Sequence, residues 1–224
     1  MLRYAVIVAG GNGTRMGGAV PKQFVEIGDD RQPVVMRALR LFAECDHLVL
    51  ALPAAWTDEW ERLCRTHGFL LPVEVSEGGS TRFESVAKAL GRVPDGVLVA
   101  VHDAVRPFTA KAVIDSAFLS AERYGSGVPA VEVADSLRLI GADGGSRPLD
   151  RSLVRAVQTP QVFRSTELKR AYAVAYRPSF TDDASVWEAA GYETRLVPGN
   201  AENVKLTRPA DWPLAEILLR NGPY

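Results

Sequence analysis

The sequence predicts a three-layer α/β fold, in which a mostly parallel sheet lies between helices and a β-arm protrudes. Three observations support this fold class. Apolar runs of strand length alternate with helical patterns over residues 3–124, as in sheets built from β-α-β units. Residues 97–101 are all apolar, which is typical of a strand buried on both faces. Glycines at 141, 144 and 145, between two short extended runs, indicate a hairpin.

The first half of the chain is expected to form regular strand–helix units. Apolar residues recur at helical spacing between Val34 and Phe42, and Thr57 is placed to begin the next helix. The predicted strands cover residues 3–9, 47–52, 72–75 and 96–101. The predicted helices cover residues 34–43, 57–67, 81–90 and 109–124.

The pattern then changes to a long strand over residues 127–139, a turn at 141–145 and a return strand at 148–151. An isolated two-stranded hairpin is marginal in water, so it must pack on its own domain or on another subunit. Helices over 165–175, 182–190 and 208–220 and a strand over 193–197 complete the prediction. We expect one domain over residues 1–224, with a dimerisation arm at about 134–153.

Composition limits the classes of function. Hydrophobic residues make up 47% of the 224 residues, which fits a globular protein, and the net charge of -1 gives no basic excess for binding nucleic acid. No apolar run approaches the ~18 residues of a membrane span, so no membrane partner is expected. The two cysteines and three histidines lack zinc-ligand spacing, and we expect reduced thiols in a cytoplasmic protein.

A glycine-rich loop follows the first strand, where backbone N–H groups can approach a phosphate. It does not fit the dinucleotide-binding spacing, because Gly11 and Gly13 are followed by Met16 at the third glycine position. It does not fit the P-loop either, because no Lys and Ser/Thr pair follows Gly18. The loop does contain Arg15, and Lys22 lies seven residues further on. Fixed cations of this kind stabilise charge on a triphosphate during nucleotidyl transfer.

Ligands of open parallel sheets bind beyond the carboxyl ends of the strands. The positions to examine therefore follow Ala9, Val75 and Val101. Asp103 and Arg106 lie just after the last of these. A charged pair at that edge is more often functional than one on a helix face. His102, between them and the strand, is expected to be a packed residue and not a general base.

Several segments together resemble a known family. They are residues 10–17 (GGNGTRMG), 21–24 (PKQF), 78–86 (GGSTRFESV), 102–107 (HDAVRP), 158–161 (QTPQ), 181–184 (TDDA) and 203–207 (NVKLT). In this order they resemble the 2-C-methyl-D-erythritol 4-phosphate cytidylyltransferases, Rossmann-like nucleotidyltransferases with a glycosyltransferase-A-like fold. The matches run from residue 5 to about residue 216.

The resemblance implies a CTP site on the nucleotide side. The residues that would hold the phosphates and nucleoside are Ala9, Gly10, Gly11, Asn12, Gly79, Ser80, Ser85 and Asp103. Arg15 and Lys22 would stabilise the transition state. Asp103 would bond a hydroxyl or help to hold Mg²⁺, which takes oxygen ligands and keeps phosphates and waters in its shell. Ser80 is also a candidate helix N-cap.

The resemblance also implies a polyol phosphate acceptor and a homodimer. The acceptor contacts would be Arg106, Arg151, Thr159, Thr181 and Lys205, with Arg151 and Lys205 orienting the nucleophile. In the family, Arg151 arrives from the arm of the partner subunit, which fits the unpaired hairpin, so the two sites are expected to be shared across the interface. Arg82 is interpreted as structural or phosphate-adjacent, and Asp182 and Asp183 mainly as capping residues.

Three alternatives stay open. A ribitol-5-phosphate cytidylyltransferase also matches Gly10-Gly11 and residues 102–108. A nicotinamide-dependent dehydrogenase is disfavoured by Met16. A non-catalytic nucleotide-binding module is disfavoured by the retention of Arg15, Lys22, Asp103 and Lys205.

Overall fold

The protein is described from a computed structural model, which covers residues 1–10 and 21–222. Gly11, Asn12 and Arg15 lie outside the described residues. The strands are β1 (Arg3–Val8), β2 (Glu26–Ile27), β3 (Gln32–Pro33), β4 (His47–Leu52), β5 (Glu74–Glu77), β6 (Leu98–Asp103), β7 (Ser126–Glu132), β8 (Leu137–Ile140), β9 (Ser146–Leu149), β10 (Arg155–Val157), β11 (Gln161–Arg164) and β12 (Leu196–Pro198). The helices are α1 (Val34–Arg40), α2 (Thr57–Thr66), α3 (Arg82–Leu90), α4 (Lys111–Tyr124), α5 (Ser165–Ala171), α6 (Asp183–Ala189) and α7 (Asp211–Arg220).

The central sheet has the strand order β10-β7-β11-β6-β1-β4-β5, with β12 paired to β7. β1 lies between β4 and β6 and runs parallel to both, and β5 runs parallel to β4. These four strands therefore end at one edge of the sheet. β11 is antiparallel to its neighbours β6 and β7. It was not predicted, because four residues next to Pro160 show no extended apolar pattern.

Helices cover both faces of the sheet, which confirms the three-layer prediction. Ala5 and Ile7 of β1 face a core built with residues of α1, α2 and α4. Val6 and Val8 face the other way, into a core with residues of α3, α5 and α6. This alternation follows from the two-residue period of a strand. In the described part of the chain, no helix combines the length and the apolar character needed to cross a bilayer.

The predicted long strand over 127–139 is wrong as a single element. β7 belongs to the central sheet, whereas β8 pairs only with β9 in a separate exposed hairpin. The four residues 133–136 separate the two strands. Gly144 adopts a φ of 80° in the hairpin turn, a left-handed conformation that glycine adopts without strain.

Other boundaries differ from the prediction by a few residues. The strand predicted at residues 72–75 corresponds to β5, which covers Glu74–Glu77. The last helix begins at Asp211, where residue 208 was predicted, because the Asp211 carboxylate accepts hydrogen bonds from the backbone N–H groups of Thr207 and Arg208. The helix starting at Ser165 ends at Ala171, four residues earlier than predicted.

Candidate active site

A cavity of about 300 Å³ opens at the carboxyl ends of the parallel strands. Its lining comes from the end of β1, the turn before α3, the end of β6, and the side chains of Lys22, Gln23 and Lys205. Six residues predicted for the site line it, namely Ala9, Gly10, Lys22, Ser80, Asp103 and Lys205. The rule that ligands bind beyond the strand ends therefore located the cavity.

Lys22 is placed by its neighbour Gln23. The buried Gln23 side chain donates a 2.9 Å hydrogen bond from Nε2 to the carbonyl of Ala9, at the end of β1. Phe24 anchors the same short 3₁₀ turn, since it is buried and packs edge-on against Trp56. The turn thus holds Lys22 beside the first residues of the glycine loop.

Close packing requires the glycine at position 10. A Cβ at Gly10 would lie 2.8 Å from the Ser85 hydroxyl, which is completely buried. That hydroxyl accepts a hydrogen bond from the N–H of Gly79 and donates one to the carbonyl of Thr81. Ser85 therefore joins Gly10 to the turn before α3. It is not among the residues that line the cavity, and its predicted contact with the nucleotide stays a prediction.

Ser80 is not the helix cap. Thr81 is the N-cap of α3, and its hydroxyl accepts from the N–H of Glu84. The N–H and hydroxyl of Ser80 both donate to Oε2 of Glu84, at 2.7 and 2.6 Å. Because its hydrogen points to Glu84, the Ser80 oxygen is left with lone pairs that can accept a hydrogen bond.

Asp103 is the electrostatic centre of the cavity. Its Oδ1 lies 3.2 Å from Arg82 Nε, and its Oδ2 lies 2.8 Å from Lys205 Nζ and 3.6 Å from Arg106 Nε. Burial alone would raise the pKa of this carboxyl. The charges of Arg82, Lys205 and Arg106 outweigh burial and lower the pKa of Asp103 far below 3.8. Asp103 is therefore a carboxylate at any physiological pH.

Thr159 and His102, both considered in the sequence analysis, form a hydrogen-bonded pair next to Asp103. The Thr159 hydroxyl accepts from the N–H of Asp103 at 3.1 Å and lies 3.1 Å from Nδ1 of His102. His102 Nε2 lies 2.9 Å from the carbonyl of Arg106, which can only accept, so Nε2 is the protonated nitrogen. Burial lowers the pKa of His102 to about 4. The ring is thus neutral and both its nitrogens are engaged.

The loop that contains Lys205 is fixed at two points. The N–H of Leu206 donates to the carbonyl of Val105, just after β6. The buried Asn203 donates through its side chain to the carbonyl of Thr159, and its own carbonyl accepts from Arg106 Nη1 at 2.7 Å. These contacts bring Lys205 to Asp103 across about a hundred residues of sequence.

Of the five predicted acceptor residues, Lys205 lines this cavity, Arg106 and Thr159 contact Asp103 without lining it, and Thr181 and Arg151 lie elsewhere. Thr181 is exposed and lies just before the residue that caps α6. Arg151 lies at the base of the hairpin, where it donates to the carbonyl of Ala134 and lines a different hollow with Glu132 and Arg155.

Arg82 and Asp183 are functional candidates that sequence reasoning undervalued. The Arg82 guanidinium donates from Nη1 and Nη2 to the two oxygens of Asp183, at 2.9 and 2.6 Å. Asp183 is fully buried and also accepts from the Tyr172 hydroxyl. Its interpretation as a capping residue is wrong: Asp182 alone caps α6, in a capping box with Ser185. The sequence did contain a signal for this role. One acid is enough to cap α6, so the second acid, Asp183, was available for another contact.

The residues present do not fit a metal ion held mainly by protein ligands. Within residues 1–10 and 21–222, no group of three His, Cys, Asp or Glu side chains could hold one. The Asp103 carboxylate already faces three cations, so a Mg²⁺ ion bound to it directly, as predicted, would compete with Lys205 for Oδ2.

Comparisons with known proteins identify the family of this chain. The family model of 2-C-methyl-D-erythritol 4-phosphate cytidylyltransferase matches residues 3–221. A protein of that name from Porphyromonas gingivalis is 48% identical over 219 residues, 97% of each chain. One from Phocaeicola vulgatus is 44% identical over 222 residues, 98% of this chain and all of its own. The crystal structure of the Thermus thermophilus protein of that name matches with a TM-score of 0.80 and 31% identity, over 98% of this chain and all of its own. The chain therefore belongs to the 2-C-methyl-D-erythritol 4-phosphate cytidylyltransferase family.

Proposed function

We propose that this chain transfers the cytidylyl group of CTP to 2-C-methyl-D-erythritol 4-phosphate, in the cavity around Asp103. The products are 4-diphosphocytidyl-2-C-methyl-D-erythritol and pyrophosphate, and the reaction is a step of non-mevalonate isoprenoid precursor synthesis. The observation that carries the proposal is the placement of Lys22 and Lys205 in one cavity with Ala9 and Gly10, where the glycine loop begins. Two anionic substrates need such cations on both sides of the reacting phosphorus.

The reaction is an in-line displacement. A phosphate oxygen of the acceptor forms a bond to the α-phosphorus of CTP, and the bond from that phosphorus to the bridging oxygen of the β-phosphate breaks. Lys22 and Arg15 stabilise the charge on the α-phosphoryl oxygens, while Lys205 holds the attacking phosphate. The acceptor phosphate is already anionic, so the reaction needs no general base. The neutral, fully hydrogen-bonded His102 is consistent with that.

The charge around Asp103 favours an anionic ligand. Among the described residues, the ion pairs of Arg82, Arg106 and Lys205 are with two carboxylates, Asp103 and Asp183, so this part of the site has one positive charge in excess. On the nucleotide side, backbone groups of Ala9, Gly10, Gly11 and Asn12 hold the phosphates. The turn at Gly79 and Ser80 reads the base, where the lone pairs of the Ser80 oxygen suit the exocyclic amine of cytosine and oppose the carbonyl of uracil.

A Mg²⁺ ion bound with CTP would neutralise charge on the triphosphate, and phosphate oxygens and water would supply most of its ligands, as this ion prefers. Asp103 is the residue that would hold it, through a carboxylate oxygen shared with an ion pair. None of the roles given to the other side chains depends on a metal held by the protein.

We further propose a homodimer in the cytoplasm, with the hairpin as its contact arm. Leu139, Ile140 and Leu149 of the hairpin are exposed apolar residues, and Arg151 follows them at its base. If a partner subunit covered these residues, Arg151 of this subunit would lie in the partner's acceptor site, next to the partner's Thr181. Reduced Cys45 and Cys64 fit a cytoplasmic location.

The test is pyrophosphate release from CTP and Mg²⁺ with methylerythritol phosphate or ribitol 5-phosphate as the acceptor. Release with the first alone supports the proposal, and release with the second alone would replace it by ribitol phosphate activation. CTP binding without release on either acceptor would indicate a non-catalytic module. Arg15→Ala and Lys22→Ala should each lower turnover by roughly 10²-fold or more with the fold intact, and near-normal turnover in either variant would remove that residue from the mechanism.

A further inference from the structure

Arg82 connects two parts of the acceptor side that are far apart in sequence. Its Nε donates to Asp103 at the end of β6, and its Nη1 and Nη2 donate to Asp183 in the first turn of α6. All three side-chain nitrogens thus already donate to carboxylates. Arg82 also lines the cavity, and with all three nitrogens engaged it is placed to act through Asp103 and Asp183.

The connection to Asp103 affects Lys205. Arg82 takes Oδ1 of Asp103, and Lys205 takes Oδ2. This division keeps the carboxylate in one orientation, with Oδ2 turned toward the ammonium. Asp183 is completely buried, so moving the Arg82 guanidinium away from it would leave an unpaired charge in the protein interior, which is costly. Asp183 therefore fixes Arg82, and Arg82 fixes Asp103.

The connection to Asp183 affects the segment with Thr181. Phe180 precedes Thr181, and its ring stacks on Phe83 with centroids 5.7 Å apart and planes at 19°. Phe83 follows Arg82 in the chain and also stacks on Tyr172, whose hydroxyl donates to Asp183. The first turn of α3 thus holds the Thr181 segment through a stacked ring on one side and a bidentate ion pair on the other.

We infer that Arg82 is a positioning residue for cytidylyl transfer, which holds Lys205 through Asp103 and the Thr181 segment through Asp183. The inference rests on the proposed function, since it assigns Lys205 and Thr181 to the acceptor. It predicts a larger effect on the acceptor than on CTP, because both connections end at residues proposed to contact the acceptor, Lys205 and Thr181.

The experiment compares Arg82→Gln with the wild-type protein. The variant should lower kcat on the order of 10- to 100-fold and raise KM for the acceptor, as expected when a reacting group is displaced by about 1 Å. The Kd of CTP, measured by calorimetry without acceptor, should stay within about threefold. Arg82→Lys should behave like Arg82→Gln, because one ammonium cannot reproduce the fork.

A destabilised fold is separated from a positioning effect by the double variant R82Q/D183N. It removes both charges, so no unpaired carboxylate is left buried and the midpoint of urea unfolding should recover relative to R82Q. The kcat should not recover, because Asp103 still lacks its ion pair with Arg82 in the double variant. The matched control is Arg62→Gln, which breaks a bidentate pair with Glu59 on the exposed face of α2 and should leave all constants unchanged.

Wild-type kcat and acceptor KM in R82Q would overturn the inference and leave the proposed function standing. So would a recovery of kcat together with stability in the double variant, or a loss of CTP affinity as large as the loss of kcat. If the wild-type protein released no pyrophosphate with either acceptor, both the proposed function and this inference would fail.

Discussion

The ammonium of Lys205 lies 2.8 Å from Oδ2 of Asp103, so the loop before α7 is tied to the carboxyl end of β6. This contact makes Lys205 the most direct test of the acceptor site. Lys205→Gln should lower kcat on the order of 10²-fold or more, because a cation that orients the nucleophile is lost. Steady-state pyrophosphate release measures this.

The stability of the Lys205→Gln variant should change by at most about 1 kcal/mol, since the side chain is 41% exposed and Asp103 keeps two other cations. Lys169→Gln is the control, because Lys169 forms a comparable ion pair with Asp95 far from the cavity. Wild-type turnover in the Lys205 variant would contradict the assignment.

Asp103→Asn should destabilise the protein in a pH-dependent way. At pH 7 the loss should be about 3–5 kcal/mol, because the change leaves clustered cations without their carboxylate. The folded-state pKa of Asp103 is depressed below 3.8, so its stabilisation is complete above that pH and is lost as the pH falls toward the folded-state pKa. Urea unfolding at pH 7, 5 and 3.5 should show a constant gap between wild type and variant at the first two and a smaller gap at the last. A gap that does not change with pH would contradict the ion cluster.

His102 should add a second pH dependence to the free energy of unfolding, in a higher pH range than that of Asp103. Its pKa is about 4 in the folded protein and 6.5 ordinarily, so the unfolded chain takes up a proton before the folded one does. The free energy of unfolding should therefore fall as the pH drops from 6.5 to 4, by about 3 kcal/mol from this group. His102→Gln should remove this part of the pH dependence, whereas His47→Gln, at an exposed position, should not. A kcat/KM profile whose acidic limb near pH 6.5 vanished in His102→Gln would instead make His102 a catalytic base.

The shared active site can be tested by combining two different inactive subunits in one dimer. Arg151→Gln and Lys205→Gln subunits should each be inactive as homodimers. A co-expressed heterodimer has one site with both side chains intact if Arg151 comes from the partner subunit. It should therefore regain about half of the wild-type rate per dimer. Failure to regain activity, in a heterodimer verified by two affinity tags, would place Arg151 in its own subunit's site or outside the mechanism.

Much of the site could be predicted because its parts are short segments with strong local patterns. The four parallel strands are apolar runs, so their periodicity along the chain is enough to locate the edge of the sheet where they end. Asp103 then followed as a polar residue next to one of those ends, Lys22 from the glycine-rich loop, and Ser80 from the resemblance of residues 78–86 to the family. The strand β11 escaped prediction because four residues without periodicity become a strand only through pairing with β6 and β7.

The sequence by itself determined the family, the order of most helices and strands, and the edge of the sheet where the cavity lies. These depend on periodicity and on motifs whose residues are close together in the chain. Only the tertiary structure decided which charges meet. Arg82 and Asp183 are 101 residues apart, and each alone resembles an ordinary residue of a helix's first turn. Their pairing exists because β6, α3 and α6 converge on one buried point, where an unpaired charge would be too costly to retain.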